Sequence, residues 1–329
     1  MTMNNATSQL TPETLYESLQ EEVGRVIVGN EEVVERLTLA LLTGGHVLFE
    51  GVPGISKTVT AESFARASGL SFNRIQMTPD ILPADITGTT IYREATGEFE
   101  TQRGPVFANI VVADEINRAT PKTQSALLEA MAEQQVTIEA DTLELPDPFI
   151  VIATQNPLEM EGVYELPEAQ RDRFQFKLRL GYPSRENEQA ILDRFDNAPG
   201  LGPESIEQVI DTDDIIAARN DCQAVFVAEP IKDYILNLAE ATRESPDTEV
   251  GASPRAAIDL QRAAKASAAV SGRAYVLPDD VKQLAVEVLA HRIVLSTEAE
   301  LSDLTQSTVI ENVLDTVDAP SEELIEDER

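Results

Sequence analysis

His46-Val-Leu-Phe-Glu-Gly51-Val-Pro-Gly54-Ile-Ser-Lys57-Thr58 passes from a short apolar strand through a glycine-bearing loop into a helical pattern, Thr58–Ser68. That order turns a glycine-rich match into a phosphate-loop reading. Gly51 and Gly54 let backbone N–H groups turn toward phosphate oxygens, with a helix N-terminus behind them. Lys57 then reaches the β- and γ-phosphates, and the Thr58 hydroxyl ligates Mg²⁺. Val52, Pro53, Ile55 and Ser56 complete the loop, and Ser56 stands where a third glycine is commonest. Serine is small enough for the first helical turn.

Working outward, further apolar runs recur between helical patterns. Phe72–Met77, Asn109–Ala113, Phe149–Thr154 and Phe174–Leu180 read as buried strands, and Pro121–Gln134 as a helix. Such alternation predicts a parallel sheet covered on both faces. Asp114-Glu115 follows an apolar strand directly, at the carboxyl edge where ligands bind. Asp114 suits holding the metal, and Glu115 suits orienting and deprotonating a water. Asn156 ends the next strand, within reach of the γ-phosphate. Arg173 precedes the last strand, and Arg255 stands in the first turn of a later helix opened by Ser253-Pro254. Both have the permanent planar charge that phosphate recognition uses.

Charge and cysteine usage bound the function classes. Asp+Glu 58 against Lys+Arg 25 gives a net charge of −33, which disfavours a phosphate-gripping nucleic acid surface. A hydrophobic fraction of 42% excludes disorder as the explanation. Only six of the basic residues are lysines, which suits a halophilic source, where concentrated salt screens self-repulsion. The single cysteine, Cys222, excludes an internal disulfide and reads as a small core residue. The first ten residues lack the apolar core of a signal peptide, and no apolar run is long enough to cross a membrane, so a cytoplasmic protein is expected. Beyond Pro183 the strands stop and helices follow.

Taken together, these motifs resemble the AAA+ ATPases, and among them the MoxR family. The resemblance rests on residues 51–58, Leu82-Pro-Ala-Asp-Ile-Thr-Gly88, Asp114-Glu-Ile-Asn-Arg-Ala119, Leu-Leu-Glu-Ala-Met at 127–131, Ala153-Thr-Gln-Asn-Pro157, Leu166-Pro-Glu-Ala169 and Gly251-Ala-Ser-Pro-Arg255. It covers about residues 20 to 295. It implies an α/β fold: a P-loop, doubly wound parallel five-stranded sheet with β-hairpin inserts, followed by a smaller all-α lid domain. The expected division is an N-terminal helical segment (1–22), the nucleotide-binding core (23–183), the lid (184–295) and an acidic C-terminal helix and tail (296–329). By position, residues 51–58 match Walker A, Asp114 and Glu115 Walker B, Asn156 sensor 1, Arg173 the arginine finger and Arg255 sensor 2. Arg171 is a second candidate finger, because the family more often has an aliphatic residue there. Arg255 is expected to sense the γ-phosphate of its own subunit. Val28 and Gly29 lie in a segment like the family's adenine contact, and His46 reads as a strand-edge residue rather than a base.

Thr90–Arg103 and Val136–Leu145 suit the hairpins of this branch, which face a central channel in related rings. Tyr92 and Phe99 then either touch a client or pack the hairpin onto the sheet. The resemblance implies ATP and Mg²⁺ as cofactors and a homo-oligomeric ring, commonly a hexamer. It also implies client proteins, often with von Willebrand factor A domains. A magnesium-chelatase-like motor subunit is the nearest alternative. A nucleic acid motor fits the acidity less well.

Overall fold

Five short apolar strands occupy the centre of a computed structural model that describes residues 10–29, 31–51, 57–95, 97–139, 141–156 and 163–321. These are β1 (Val47–Gly51), β2 (Phe72–Gln76), β5 (Ile110–Asp114), β8 (Ile150–Gln155) and β9 (Phe176–Leu180). They form one parallel sheet in the order β2-β5-β8-β1-β9. Each begins or ends within two residues of its sequence-based position. The intervening strands pair as two antiparallel hairpins, β3 (Gly88–Arg93) with β4 (Glu98–Arg103) and β6 (Gln135–Ile138) with β7 (Asp141–Glu144). Thr96 and Ala140, within the two expected hairpin segments, lie outside the described residues, as do Val52, Pro53, Gly54, Ile55 and Ser56 of the expected phosphate loop, Pro157, Met1 to Gln9, and the tail beyond Ser321.

The helices before the last sheet strand are α1 (Pro12–Gly24), α2 (Glu31–Thr43), α3 (Lys57–Ala67), α4 (Pro83–Thr87), α5 (Pro121–Glu133) and α6 (Glu168–Arg171). After it come α7 (Arg185–Asn197), α8 (Thr212–Ala224), α9 (Glu229–Glu244), α10 (Pro254–Val270), α11 (Pro278–Leu289), α12 (Thr297–Leu301) and α13 (Gln306–Thr316). The helical lid carries one addition that the sequence reading lacked, a short antiparallel pair of β10 (Thr248–Val250) and β11 (Val294–Leu295). Several helix starts follow side-chain chemistry. Ser253 Oγ accepts from Ala256 N–H at 3.3 Å, and Asp280 Oδ2 accepts from Leu277 N–H at 2.8 Å.

Strand alternation divides the core into two layers. Val47, Phe49, Ile110, Val112, Ile150, Ile152, Phe176 and Leu178 face α1, α2, α3 and the lid. Leu48, Ile75, Val111, Ala113, Val151 and Ala153 face α4 and α5. Burial on both faces is why the inner strands β1, β5 and β8 read as largely apolar runs, whereas the edge strands β2 and β9 are partly exposed. Truncating a fully buried ring such as Phe49 to Ala therefore costs about 3–5 kcal/mol. Cys222 belongs to the first layer, as its apolar neighbours suggest, and burial pushes its thiol up to about 12. Among the described residues, no helix is long and apolar enough to cross a membrane.

Candidate nucleotide site

Three adjacent strands deliver the site. Because β5, β8 and β1 are neighbours, Asp114-Glu115, Gln155-Asn156 and Gly51 all end at one carboxyl edge. Lys57, the first residue of α3, spans this edge. Its Nζ donates to the Gly51 carbonyl at 2.5 Å and to the Gln155 carbonyl at 3.4 Å. Burial lowers its pKa, while Asp114, Glu115 and Glu50 pull the other way. An anionic phosphate oxygen is a stronger acceptor than either carbonyl, so the ammonium is set to exchange partners.

Asp114 is buried and fully engaged. It accepts from Thr58 Oγ1 at 3.2 Å, Thr154 Oγ1 at 3.2 Å and Arg74 Nε at 2.5 Å. The Thr58 hydroxyl and the Asp114 carboxylate therefore sit together as a pair of hard oxygen donors. That pair fits Mg²⁺, which keeps several waters and is held by one or two protein oxygens plus substrate phosphates. Among the described residues, no group of three or more His, Cys, Asp or Glu could hold a metal unaided.

Glu115 is held differently. Its backbone is left-handed, with φ 58° and ψ 50°, a conformation that costs a non-glycine residue of order 1–3 kcal/mol. The turn aims its carboxylate away from the strand, where Gln76 Nε2 donates to it at 2.7 Å and Arg118 Nη1 pairs with it at 3.2 Å. Its N–H donates to Thr154 Oγ1 at 2.9 Å. One threonine hydroxyl thus links both acids. Asn156 is buried at the end of β8, beside them.

Sequence reasoning did not identify Arg74, Gln76 or Thr154 as site residues. The register explains their presence, since Gln76 pairs with Asp114, which also brings Arg74 close. The polar residues of β2, Phe-Asn-Arg-Ile-Gln, were no distinctive signal, because β9 carries Lys177 and Arg179 as well.

Val28 and Gly29 lie just beyond α1. Gly29 has φ 72°, and a Cβ there would approach Asn187 Nδ2 of α7 to 2.0 Å. The positive φ is what favours glycine, since the Asn187 amide ends a flexible side chain, and the proximity brings the first lid helix against the expected adenine segment. His46 donates through Nε2 to the Met131 carbonyl at 3.2 Å and accepts from Val151 N–H at Nδ1 at 3.0 Å. Burial lowers its pKa to about 4, so it is a neutral edge residue rather than a base near neutrality.

The arginines lie elsewhere. Phe176 pairs with Val47 at the start of β1, which places Arg173 at the amino edge of the sheet, away from the loop that follows Gly51. A five-residue strand at about 3.3 Å per residue separates the edges by about 16 Å. Arg173 Nη1 donates to the Leu128 carbonyl of α5, and Arg171 lies in the preceding turn of helix. Arg255 is on this same edge. Its helix cap, Ser253, donates through Oγ to Asp172 Oδ1 at 3.2 Å, and Gln175 Nε2 donates to the Asp259 carbonyl one turn further on. Arg255 thus stands at the edge opposite Lys57 of its own subunit. Packing of α10 against the turn before β9 holds it there.

A five-stranded parallel sheet with paired acids and a helix-start lysine at its carboxyl edge, followed by a helical lid, is the arrangement of an AAA+ ATPase. The family model of the ATPase family associated with various cellular activities matches residues 46–176, and that of the AAA lid domain matches residues 240–313. Chaperone MoxR1 of Mycobacterium tuberculosis is 47% identical over 308 residues, covering 91% of this chain and 81% of the relative. Protein MoxR of Methylorubrum extorquens is 32% identical, covering 92% and 94%. A crystallised Cytophaga hutchinsonii protein, described as a candidate ATPase, superposes with a TM-score of 0.88 at 43% identity, covering 94% of this chain and 96% of its own. The chain belongs to the MoxR family of chaperone-like AAA+ ATPases.

Proposed function

We propose that this chain hydrolyses ATP to ADP and phosphate at the subunit interfaces of a homo-oligomeric ring, commonly a hexamer, and uses the cycle to remodel or activate client proteins. Lys57 and the loop at residues 51–58 hold the phosphates, Val28 and Gly29 meet the adenine, and Thr58 and Asp114 hold Mg²⁺. These two oxygens would hold the ion, which would supply neutralisation of phosphate charge. Glu115 orients and deprotonates the attacking water, with Asn156 beside it.

The observation that carries the interface reading is the separation of charge across the sheet. Lys57, Asp114 and Glu115 occupy one edge, and Arg173 and Arg255 the other. Arginines on the far edge serve transition-state charge only when a neighbour presents them. Head-to-tail use of two different faces closes into a ring when the rotation between neighbours closes. Arg173 is the finger in this reading, with Arg171 as the alternative, and Arg255 acts with it from the neighbouring subunit.

The β3–β4 hairpin supplies a client contact. Tyr92 and Phe99 pair across it, with ring centroids 5.2 Å apart, and are 55% and 75% exposed rather than packed on the sheet. Gly88, with φ 104° and the Gln102 carbonyl 2.3 Å from a would-be Cβ, lets the hairpin leave α4 sharply. Clients with von Willebrand factor A domains are those the family suggests. A cytoplasmic, salt-rich setting fits the single buried cysteine and the acidic surface.

The test is capture by Glu115→Gln, which traps ATP. The proposal expects proteins retained with ATP and released with ADP. Retention of DNA alone, or of the same proteins irrespective of nucleotide, would refute it.

A further inference from the structure

The turn carrying Arg173 and the helix carrying Arg255 are joined by one buried residue. Arg292, just after α11, has only 1% of its side chain exposed. Its Nη2 donates to Asp259 Oδ2 at 2.7 Å and to the Phe174 carbonyl at 2.8 Å, and its Nε lies 3.5 Å from Asp172 Oδ1. Asp259 is one turn after Arg255 on α10, with 3.9 Å between its Oδ2 and Arg255 Nε. Asp172 and Phe174 flank Arg173. His291 adds a second grip, donating from Nε2 to the same Phe174 carbonyl at 2.8 Å. Burial lowers its pKa well below the ordinary value, so the ring stays neutral and Nε2 keeps its proton.

A guanidinium removed from water is costly unless paired, and removing one partner strands the others. The fold therefore retains this charge only where it holds several groups at once. Here those groups are the two carboxylates and the carbonyl that fix the finger turn relative to α10. We infer that Arg292 is a positioning residue that locks Arg173 and Arg255 into one rigid face, so that both arginines reach the neighbour's phosphates together. The inference rests on the proposed interface site. It assigns Arg292 no contact with nucleotide: its side chain is enclosed at the amino edge, remote from Lys57 and Asp114 of its own subunit.

Catalytic groups depend sharply on placement, and a displacement of about 1 Å can cost about 10²-fold in rate. Arg292→Gln is expected to lower kcat for ATP by about that factor while changing nucleotide affinity less than about twofold. Asp172→Asn, which cuts one of the three contacts at a partly exposed carboxylate, shifts kcat in the same direction by less and keeps the fold testable if Arg292→Gln proves unstable.

The decisive readout is a mutant cycle in the full-length chain, with thermal melts alongside. In a chain already carrying Arg173→Ala and Arg255→Ala, adding Arg292→Gln or Asp172→Asn is expected to cost nothing further in kcat, because the groups they position are gone. Independent, multiplicative losses would overturn the inference, as would a wild-type kcat in folded Arg292→Gln. A wild-type kcat in the Arg173→Ala, Arg255→Ala chain itself would instead overturn the trans-arginine reading beneath it.

Discussion

Glu115→Gln separates chemistry from binding. The substitution keeps side-chain volume, and the Gln76 amide still finds an oxygen at its present 2.7 Å. What is lost is the pair with Arg118, both of whose partners are partly exposed, so stability changes by less than about 1 kcal/mol. Removal of a general base costs about 10²–10⁴ in rate, or about 2.7–5.4 kcal/mol at 1.36 per decade. Nucleotide affinity stays near wild type, because Lys57 and the loop are untouched, whereas Lys57→Ala loses affinity itself. Calorimetric nucleotide titration, phosphate-release kinetics and thermal melts on both variants check this. A loss of kcat below tenfold in Glu115→Gln, or equal loss of affinity in the two variants, would refute the assignment.

Three further outcomes are expected. Neither of the two histidines should show an NMR titration midpoint between about pH 5 and 7.5, because burial lowers both. With His46 at about 4 folded against 6.5 unfolded, its stabilising contribution is complete above pH 6.5 and is lost as pH falls toward 4, by about 3 kcal/mol in all; a midpoint near 6.5 would contradict that burial. Replacing Tyr92 and Phe99 together with Ala should lower client-stimulated turnover and leave basal ATPase intact, and unchanged stimulation would remove the hairpin from the account. Circular dichroism should show weaker folding in dilute buffer than in multimolar KCl, since about 3 Å of Debye length at 1 M screens the acidic surface; full stability at low salt would argue against a halophilic setting.

The sheet was legible because strands buried on both faces must be apolar throughout. Ile110–Asp114 could be found from that run and its terminal acid alone. Ser253 announced its helix through cap chemistry. The position of Arg255 was not legible, since local sequence fixes its helical turn but tertiary packing through Asp172, Gln175 and Asp259 fixes which edge that turn occupies. Arg292 left a faint trace, as a charge inside Leu289-Ala-His-Arg-Ile-Val294, where apolar neighbours on both sides imply burial. Arg74 and Thr154 became visible only once register placed β2 and β8 on either side of β5.

In the proposed ring a neighbour's amino-edge arginines complete each ATP site. ATP turnover after subunit mixing of Arg255→Ala with Glu115→Gln, with mixed oligomers verified, measures that completion. Each variant alone is nearly inactive. In a mixed ring, an Arg255→Ala subunit keeps its own Glu115 and receives an intact Arg255 from a Glu115→Gln neighbour. Random equal mixing then restores about a quarter of the sites, since each interface joins two different faces. Turnover rising well above the sum of the parents is the predicted result. Turnover equal to that sum would show that no neighbour's Arg255 completes the site.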